Sequence, residues 1–400
     1  MAGAELIGKE EIQEVMEVLE TGVLARYDFH DKRKGVYKVA EFERAFADYL
    51  GAAHTLGVTS GSAALKVALT ALDVGHGDEV IVPAFDFIAT YESVLEVGAI
   101  PVMADIDDTY NLDPGAVEKR VTPRTRAVIP VHMCGSAARI EEIVAVARKH
   151  GLLVLEDNAQ ACGGSVGGKK LGTFGDMGIL SFDYYKTMTT GEGGLVITDS
   201  KRLYDRADWY HDHGHDHNPA VGRAQEGRSF LGFNYRMGEL QGAVGLAQLR
   251  KIDDIITGQR RNKALLREAL STIPGITFRE HVDPAGDTAT FIGFSLPDER
   301  TARALKGALQ NNGVDSIYYR ENAWHYAPRW EHLIAGATAN SKGYPFTSPL
   351  YTGTVDYSVD HIPHAEDLLA RSLFMAVPVI MTEERSGTVI GGIEKAAATV

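Results

Sequence analysis

Two ionisable residues of opposite charge follow apolar runs that are typical of buried strands. Asp157 ends the run Leu152 to Asp157 (LLVLED), and Lys186 comes shortly after the run Gly178 to Asp183 (GILSFD). A buried carboxylate is costly unless a cation pairs with it, and a lysine held beside a carboxylate can form a Schiff base with a carbonyl compound. Taken alone, Asp157 also suits a helix cap and Lys186 a solvated surface charge. Because one strand-helix-strand step separates them, we expect both at the same edge of a sheet.

Small and aromatic residues at two other strand ends suit a planar, phosphorylated cofactor. The segment Thr59 to Ala64 (TSGSAA) would open a helix with N–H groups and hydroxyls that suit a phosphate, although a capped helix with a glycine turn is the plainer explanation. The segment Pro83 to Phe87 (PAFDF) could set a ring over a cofactor, with core packing as the alternative. Combined with Asp157 and Lys186, these segments predict pyridoxal phosphate (PLP) as the cofactor.

The elements that must position these residues alternate between strand and helix from residue 52 to about residue 200. The predicted strands are Asp78 to Pro83, Ile100 to Asp105, Arg126 to His132, Leu152 to Asp157, Gly178 to Asp183 and Gly194 to Thr198. Helical patterns lie between them, for example at Ser62 to Leu72 and Ala138 to His150. Near-continuous apolar runs are typical of strands covered on both faces, so the sequence predicts an α/β fold with a mostly parallel, doubly wound sheet. The last two strands are too close for a helical crossover, which predicts that one of them runs antiparallel.

The pattern changes after Asp199 and predicts a smaller C-terminal α+β domain. A long helix is predicted from Met237 to about Ile273, where apolar residues recur at helical spacing. The remaining predicted elements are strands at Ile276 to Arg279 and Thr290 to Leu296, and helices at Thr301 to Asn311 and Thr382 to Ala397. We place the domain boundary near residue 255, so that residues 1–255 form an N-terminal segment with the large cofactor-binding domain, and residues 256–400 form the small domain.

Composition excludes several classes of protein. The chain has 400 residues, with 40 Lys and Arg against 54 Asp and Glu, so its net charge of −14 disfavours nucleic acid or an anionic membrane as a partner. Its two cysteines, Cys134 and Cys162, exclude a disulfide scaffold and are expected to be small buried residues. The first residues lack the pattern of a signal peptide, and no stretch of 18 apolar residues occurs, which predicts a cytoplasmic protein.

The sequence resembles the DegT/DnrJ/EryC1/StrS family of PLP-dependent sugar aminotransferases over essentially its whole length. The segments that carry the resemblance are Ser60 to Leu65, Pro83 to Thr90, Val131 to Gly135, Glu156-Asp157 with Ala159 to Ala161, Ser181-Phe182 with Lys186, Thr190 to Gly194, and Gly232 to Met237. The resemblance implies the type I aminotransferase fold and a homodimer with shared active sites.

The resemblance also implies roles for the residues that would handle the reactive ring. Lys186 would hold PLP as a Schiff base and later carry a proton between the substrate carbon and the cofactor. Asp157 would pair with the pyridinium nitrogen, which keeps the ring an electron sink. Phe87 would stack on the ring, and Gln160 would contact the ring hydroxyl.

Further residues would bind the cofactor phosphate. The resemblance implies that Gly61, Ser62 and Ser181 bind the phosphate of the chain's own cofactor. Asn234 would reach the phosphate of the neighbouring subunit's cofactor. The one family branch that dehydrates sugars replaces the Schiff-base lysine by histidine, so Lys186 favours transamination, with glutamate as the family's usual donor.

Several stretches resemble a narrower branch that aminates the C8 aldehyde of an oxidised 3-deoxy-octulosonate (Kdo-type) sugar acid for lipopolysaccharide. Such an acceptor carries a carboxylate, so basic groups near the mouth of the site are candidate contacts. These candidates are Arg26, His215, His217, Arg236 and His325. One alternative is a different acceptor, a keto-sugar linked to a nucleotide. Two others are a different PLP reaction and a non-catalytic sensor, and the intact Lys186 argues against the sensor.

The run His211 to His217 (HDHGHDH) has alternating histidines that invite comparison with a metal site. It lacks the spacing of a catalytic metal motif, so we expect no metal there. A loop fixed by histidine hydrogen bonds, or one that lines the substrate entrance, is the interpretation that we favour.

Overall fold

The computed structural model describes residues 2–399, which form thirteen α-helices and twelve strands within that range. The helices are α1 (Lys9–Thr21), α2 (Lys38–Leu50), α3 (Gly61–Ala71), α4 (Ala89–Glu96), α5 (Pro114–Arg120), α6 (Ile140–Lys149), α7 (Lys201–His211), α8 (Glu239–Leu249), α9 (Ile252–Leu270), α10 (Glu299–Asn311), α11 (Glu331–Ile334), α12 (Pro363–Ala370) and α13 (Glu383–Ala397). The strands are β1 (His54–Val58), β2 (Glu79–Pro83), β3 (Ile100–Ala104), β4 (Thr125–Val128), β5 (Leu153–Asp157), β6 (Ser165–Val166), β7 (Lys169–Lys170), β8 (Met177–Ser181), β9 (Gly194–Thr198), β10 (Thr277–Phe278), β11 (Phe291–Ser295) and β12 (Ser372–Ala376).

A seven-stranded sheet in the order β1-β9-β8-β5-β4-β2-β3 forms the centre of the fold. Only β9 runs against its neighbours, pairing antiparallel with β8 on one side and β1 on the other. The predicted α/β fold with a mostly parallel sheet is confirmed, as is the prediction that one of the last two strands is antiparallel. Every residue of β2, β8 and β9 is buried, which explains their unbroken apolar sequences.

Each of the six predicted strands overlaps a strand of this sheet, although β4 and β8 each begin one residue earlier than predicted. The edge strand β1 was not predicted. Its sequence, HTLGV, includes a histidine and a glycine, so its apolar run is too short to stand out. The hairpin of β6 and β7 was not predicted either, because each of these strands has only two residues.

The predicted helix from Met237 to Ile273 is wrong, because the chain forms two helices there. Helix α8 ends at Leu249, and α9 begins at Ile252 after a turn at Arg250 and Lys251. The apolar spacing continues across the turn, so the sequence pattern does not reveal the break. The Lys251 ammonium holds the turn against the N-terminal segment through the Leu6 carbonyl, 2.9 Å away, and the Glu11 carboxylate, 2.9 Å away.

The C-terminal part of the chain builds a second sheet in the order β10-β11-β12, all antiparallel. Its apolar face packs with α9, α10 and α13 in a separate hydrophobic cluster. The strands and helices predicted in this region are confirmed, whereas β12 was not predicted. The boundary near residue 255 falls inside α9 and stays a prediction.

The central sheet brings the predicted site residues to one edge. Strands β2, β5 and β8 are parallel to one another, so the segments after them emerge on the same side of the sheet. The N-terminal segment contacts the loop that carries Lys186, because the Gly3 N–H donates to the carbonyl of Lys186 over 3.4 Å. Within residues 2–399, none of the helices combines the length and the apolar character that crossing a membrane requires.

Close packing of β8 gives a stability prediction. A Cβ at Gly178 would lie 2.2 Å from the Gly172 carbonyl oxygen, so Gly178→Ala must push backbone apart. We expect the free energy of unfolding to fall by about 1–3 kcal/mol, measured by urea denaturation. The control is Gly307→Ala in α10, where a Cβ would meet nothing within 4 Å among the described residues. Alanine favours a helix over glycine by up to ~1 kcal/mol, so the control should be unchanged or more stable, and equal losses in both variants would contradict the argument.

Candidate active site

A cavity of about 510 Å³ opens at the carboxyl ends of β2, β5 and β8. The predicted site residues that line it are Gly61, Ser62, Phe87, Asp157, Gln160, Ser181, Lys186 and His325. The parallel strands and the N-terminus of α3 therefore bring most of the predicted cofactor residues together.

The first turn of α3 forms one end of the cavity. The Ser60 hydroxyl caps the helix by accepting from the Ala63 N–H at 3.0 Å. A Cβ at Gly61 would lie 2.7 Å from the Cβ of Ser181, so only glycine lets β8 approach the helix this closely. The helix N-terminus and the Ser62 and Ser181 side chains suit an anion with several oxygens, such as a phosphate.

Asp157 is a buried carboxylate in the cavity wall. Its side chain accepts from the Ala159 N–H at 3.0 Å and from the Thr90 hydroxyl at 3.2 Å. Burial raises its pKa, against the opposing effects of the Ala159 N–H and the charge of Lys186. A protonated ring nitrogen would supply the cation that this carboxylate needs.

Lys186 lies in a loop between β8 and β9 and is partly buried. Burial lowers the pKa of its ammonium, while the charges of Asp157 and Asp183 oppose that shift. A lowered pKa increases the fraction of free amine, which is the form that attacks a carbonyl. Its Nζ lies 5.7 Å from the centre of the Phe87 ring.

Aromatic rings form the wall opposite the helix. Phe87 stacks on Trp324 with centroids 5.8 Å apart and planes 3° apart, and it contacts the His325 ring at 5.4 Å. Backbone hydrogen bonds join the two segments, from the Asp86 N–H to the His325 carbonyl at 2.9 Å and from the Ile88 N–H to the Trp324 carbonyl at 3.1 Å. Trp324 and Asp86 were not predicted as site residues, because a contact between segments so far apart in the chain leaves no local signal.

His325 enters the cavity as a neutral group. Burial lowers the pKa of its imidazole to about 4, with the nearby Lys186 charge adding to the effect. At pH 7 it therefore suits a hydrogen bond to a hydroxyl rather than a charge contact with a carboxylate.

The backbone N–H of Cys134 donates to the side-chain oxygen of Gln160 over 3.0 Å and so fixes the position of this amide.

Both cysteines are free and buried, as predicted. Burial raises the pKa of each thiol, to about 12 for Cys162, so neither is a thiolate near pH 7.

Three of the basic residues proposed as substrate contacts lie outside this cavity wall. The Arg26 guanidinium binds the Glu43 carboxylate at 2.7 Å and 3.0 Å. His215 lies 2.5 Å from a Glu226 oxygen, and the Arg236 guanidinium donates to Asp212. Each of the three thus has a carboxylate partner within the chain, and a contact with substrate stays a prediction.

His217, the fourth such residue, belongs to an ionic network around Asp212. Its ring nitrogens lie 2.7 Å from Asp208 and 2.9 Å from Asp212, and the Arg223 guanidinium contacts both oxygens of Asp212 at 2.6 Å. Burial opposes charging of His217, but these two carboxylates outweigh it and raise the pKa of His217 to about 9. The run from His211 to His217 is thus fixed by hydrogen bonds. Among residues 2–399, no group of three or more His, Cys, Asp or Glu side chains is placed to hold a metal ion.

Asn234 is exposed and also lies outside the cavity. Its side-chain oxygen accepts from the Arg236 N–H at 3.2 Å, and its backbone bridges to Asp212. A contact with the cofactor of a neighbouring subunit stays a prediction.

The residues of the cavity fit PLP. The glycine-lined helix end matches a phosphate, the buried Asp157 matches a ring cation, and Lys186 supplies an amine whose pKa is lowered. Phe87 and Trp324 provide an aromatic face for a planar ring.

Several known proteins resemble this chain in fold and in sequence. A crystal structure of 3-amino-5-hydroxybenzoic acid (AHBA) synthase superposes with a TM-score of 0.80 and 30% identity, over 98% of this chain and 97% of that one. The spore coat polysaccharide biosynthesis protein SpsC of Bacillus subtilis is 41% identical over 395 residues, which are 97% of this chain and 94% of SpsC. The GDP-perosamine synthase of Caulobacter vibrioides is 40% identical over 249 residues, which span 62% of this chain and 66% of that enzyme.

The fold and the cavity define a PLP-dependent aminotransferase of the type I fold. The chain belongs to the DegT/DnrJ/EryC1/StrS aminotransferase family, which it matches over residues 5–394.

The network around His217 predicts a pH dependence of stability. Because its pKa is raised from 6.5 to about 9, its contribution is complete below about pH 6.5 and is lost as the pH rises through about 9. We expect His217→Gln to lower the thermal midpoint at pH 6 and to differ little from the unmodified protein at pH 10, measured by circular dichroism. The control is His332→Gln at an exposed position, which should leave the thermal midpoint unchanged at pH 6 and at pH 10. If His217→Gln lowers the thermal midpoint by the same amount from pH 6 to pH 10, the charge of His217 does not stabilise the network.

Proposed function

We propose that the protein transfers an amino group from L-glutamate to an oxidised sugar, with Lys186 and Asp157 as its catalytic residues. The observation that carries the proposal is the placement of these two side chains in one cavity, beside a helix N-terminus that suits a phosphate. Membership of an aminotransferase family supports the same reaction.

PLP, when bound, supplies an electron sink for the carbon that loses a proton. Asp157 holds the positive charge of the ring nitrogen in place through its buried carboxylate. Lys186 would hold PLP as a Schiff base, and as a free amine its Nζ would move a proton from the substrate carbon to the cofactor. Phe87 and Trp324 shield one face of the site from water, and the neutral His325 hydrogen-bonds a substrate hydroxyl.

The first candidate acceptor is the C8 aldehyde of a 3-deoxy-octulosonate, a sugar acid of lipopolysaccharide synthesis. Resemblance to the branch that aminates this sugar supports it. Charge matching supports it less, because each of the basic candidates outside the cavity already has a carboxylate partner within the chain. These candidates are Arg26, His215, His217 and Arg236.

The second candidate acceptor is a keto-sugar linked to a nucleoside diphosphate. The specific observation that favours it is the 40% identity to a protein called GDP-perosamine synthase. Such an acceptor would carry its charge on the diphosphate, away from the carbon that reacts.

We also propose a homodimer that shares its active sites. The exposed Asn234 is flanked by apolar side chains that face solvent in the single chain, with Leu231 94% exposed and Phe233 63% exposed. Tyr185 and Trp324 at the cavity are also exposed, at 72% and 62%. Exposed apolar groups of this size are typical of a surface that another chain covers.

A two-step absorbance experiment tests the reaction. L-glutamate should abolish the band of the lysine-linked cofactor, and the correct acceptor should restore it. Restoration by the octulosonate aldehyde supports the first candidate, and restoration only by a nucleotide-linked keto-sugar supports the second. Lys186→Ala is the control, which should lack the band and lose on the order of 10²–10⁴-fold in turnover. If the unmodified protein forms no band, or if glutamate leaves the band unchanged, the proposed reaction is wrong.

The glycine at the start of α3 gives a separate prediction about cofactor binding. In Gly61→Ala the new methyl group would collide with Ser181, so the helix end must move away from the phosphate. We expect PLP to bind about tenfold more weakly or worse, a loss of about 1.4 kcal/mol, measured by fluorescence titration of the cofactor-free protein.

Gly391→Ala in α13 is the matched control for this variant. A Cβ there would meet nothing within 4 Å among the described residues, so PLP affinity should not change. If Gly61→Ala binds PLP as tightly as the unmodified protein, the cofactor phosphate does not bind at this end of the cavity.

A further inference from the structure

The cavity contains a second buried carboxyl group that the proposed amino transfer does not use. Asp86 lies between β2 and α4, and its side chain lines the cavity with 0% exposure. Its neighbour in the sequence, Phe87, forms the aromatic wall. Because its side chain is fully buried, Asp86 can affect a bound molecule only through the groups that touch that molecule.

The contacts of Asp86 are too few for a carboxylate. Its Oδ1 accepts from the Phe87 N–H at 2.6 Å. Its Oδ2 meets no hydrogen-bond partner among residues 2–399, although the atom is buried. A buried carboxylate that has one hydrogen bond and no ion pair is costly, whereas a protonated carboxyl group is not.

The charged and titratable groups around Asp86 come from every element packed against it. Asp157 faces it from the end of β5, Lys186 from the loop after β8, and Tyr91 from α4. The His325 segment is joined to Asp86 through the backbone, because the Asp86 N–H donates to the His325 carbonyl. His325 is neutral at pH 7, so Lys186 is the one cation in this set for two carboxyl groups. The two carboxyl groups therefore compete for a single positive charge.

Hydrogen bonding decides which of the two keeps a proton. Both oxygens of Asp157 accept a hydrogen bond, from Ala159 and from Thr90, whereas Oδ2 of Asp86 accepts none. The Thr90 hydroxyl is near enough to Asp86 to oppose the rise in its pKa, but its one proton is directed to Asp157. Burial, and then the charge of Asp157, raise the pKa of Asp86 well above its usual range. The carboxyl group with fewer donors is the one that holds the proton.

We propose that Asp86 is a positioning residue that stays a neutral carboxylic acid, with its proton on Oδ2, and thereby confines the negative charge of the pair to Asp157. The proposal rests on the proposed roles of Asp157 and Lys186, because the charge that Asp86 confines is the one that faces the ring nitrogen.

Infrared spectroscopy of the holoenzyme tests the protonation directly. The difference between the unmodified protein and Asp86→Asn at pH 7 should contain the C=O band of one protonated carboxylic acid. In Asp157→Asn the same band should weaken, because Asp86 then no longer faces the charge of Asp157 and has the charge of Lys186 to itself. A difference spectrum that contains only carboxylate bands would overturn the proposal.

A pH titration of the lysine-linked cofactor band gives a second measurement. Asn is neutral and has nearly the shape of a protonated Asp. Asp86→Asn should therefore change the proton affinity that sets the midpoint of this titration by less than threefold. The unmodified protein should show a further alkaline transition as Asp86 ionises, and the variant should lack it. A midpoint shifted tenfold or more would mean that Asp86 is charged in the unmodified enzyme.

The two measurements separate this proposal from the proposed function. Absence of the lysine-linked band in the unmodified protein means that the function fails, while the infrared comparison still reports the proton on Asp86. If Asp86→Asn does not fold, Asp86→Ser provides a smaller neutral side chain for the same infrared difference, with the same outcome required.

Discussion

Removal of charged groups from water is the constraint on which this active site depends. Burial raises the pKa of Asp157 and lowers the pKa of Lys186, so each group is costly to ionise alone. The charge of each reduces the cost of the other, and a bound ring nitrogen would complete the balance. The sheet maintains this arrangement because β5 and β8 are paired directly and deliver both residues to one edge. The N-terminal segment contributes as well, through the hydrogen bond from Gly3 to the Lys186 carbonyl.

The parts of the site that could be predicted are those carried by strand ends. Asp157 and Lys186 lie at or just after the ends of long apolar runs, and parallel pairing of such runs brings their carboxyl ends side by side. The pairing of Trp324 with Phe87 had no such signal, because it depends on a loop from the C-terminal part of the chain folding back over the cavity. The break at Arg250 escaped prediction for a similar reason, since a contact with the distant N-terminal segment fixes the turn.

Charge pairing was the least predictable feature. Arg26 and Arg236 read as free cations in the sequence, but a sequence does not show which carboxylate will meet which guanidinium. In the structure Glu43 and Asp212 neutralise them. Asp212 alone receives Arg223, Arg236 and His217, and these cations outweigh its burial and lower its pKa. Arg26 and Arg236 therefore have less charge to offer an acceptor than the sequence alone suggests.

The position of β1 has a consequence for biosynthesis. Its one neighbour within the central sheet is β9, which is the last strand of that sheet to leave the ribosome. Until β9 is made, the apolar face of α3 and the strand before it lack their final neighbour, and the nascent chain exposes an unpaired edge. Closure of the sheet and completion of the loop that carries Lys186 fall at the same stage of translation, because β8, that loop and β9 are consecutive. Lys186 thus reaches its place only at the stage at which β9 completes the sheet.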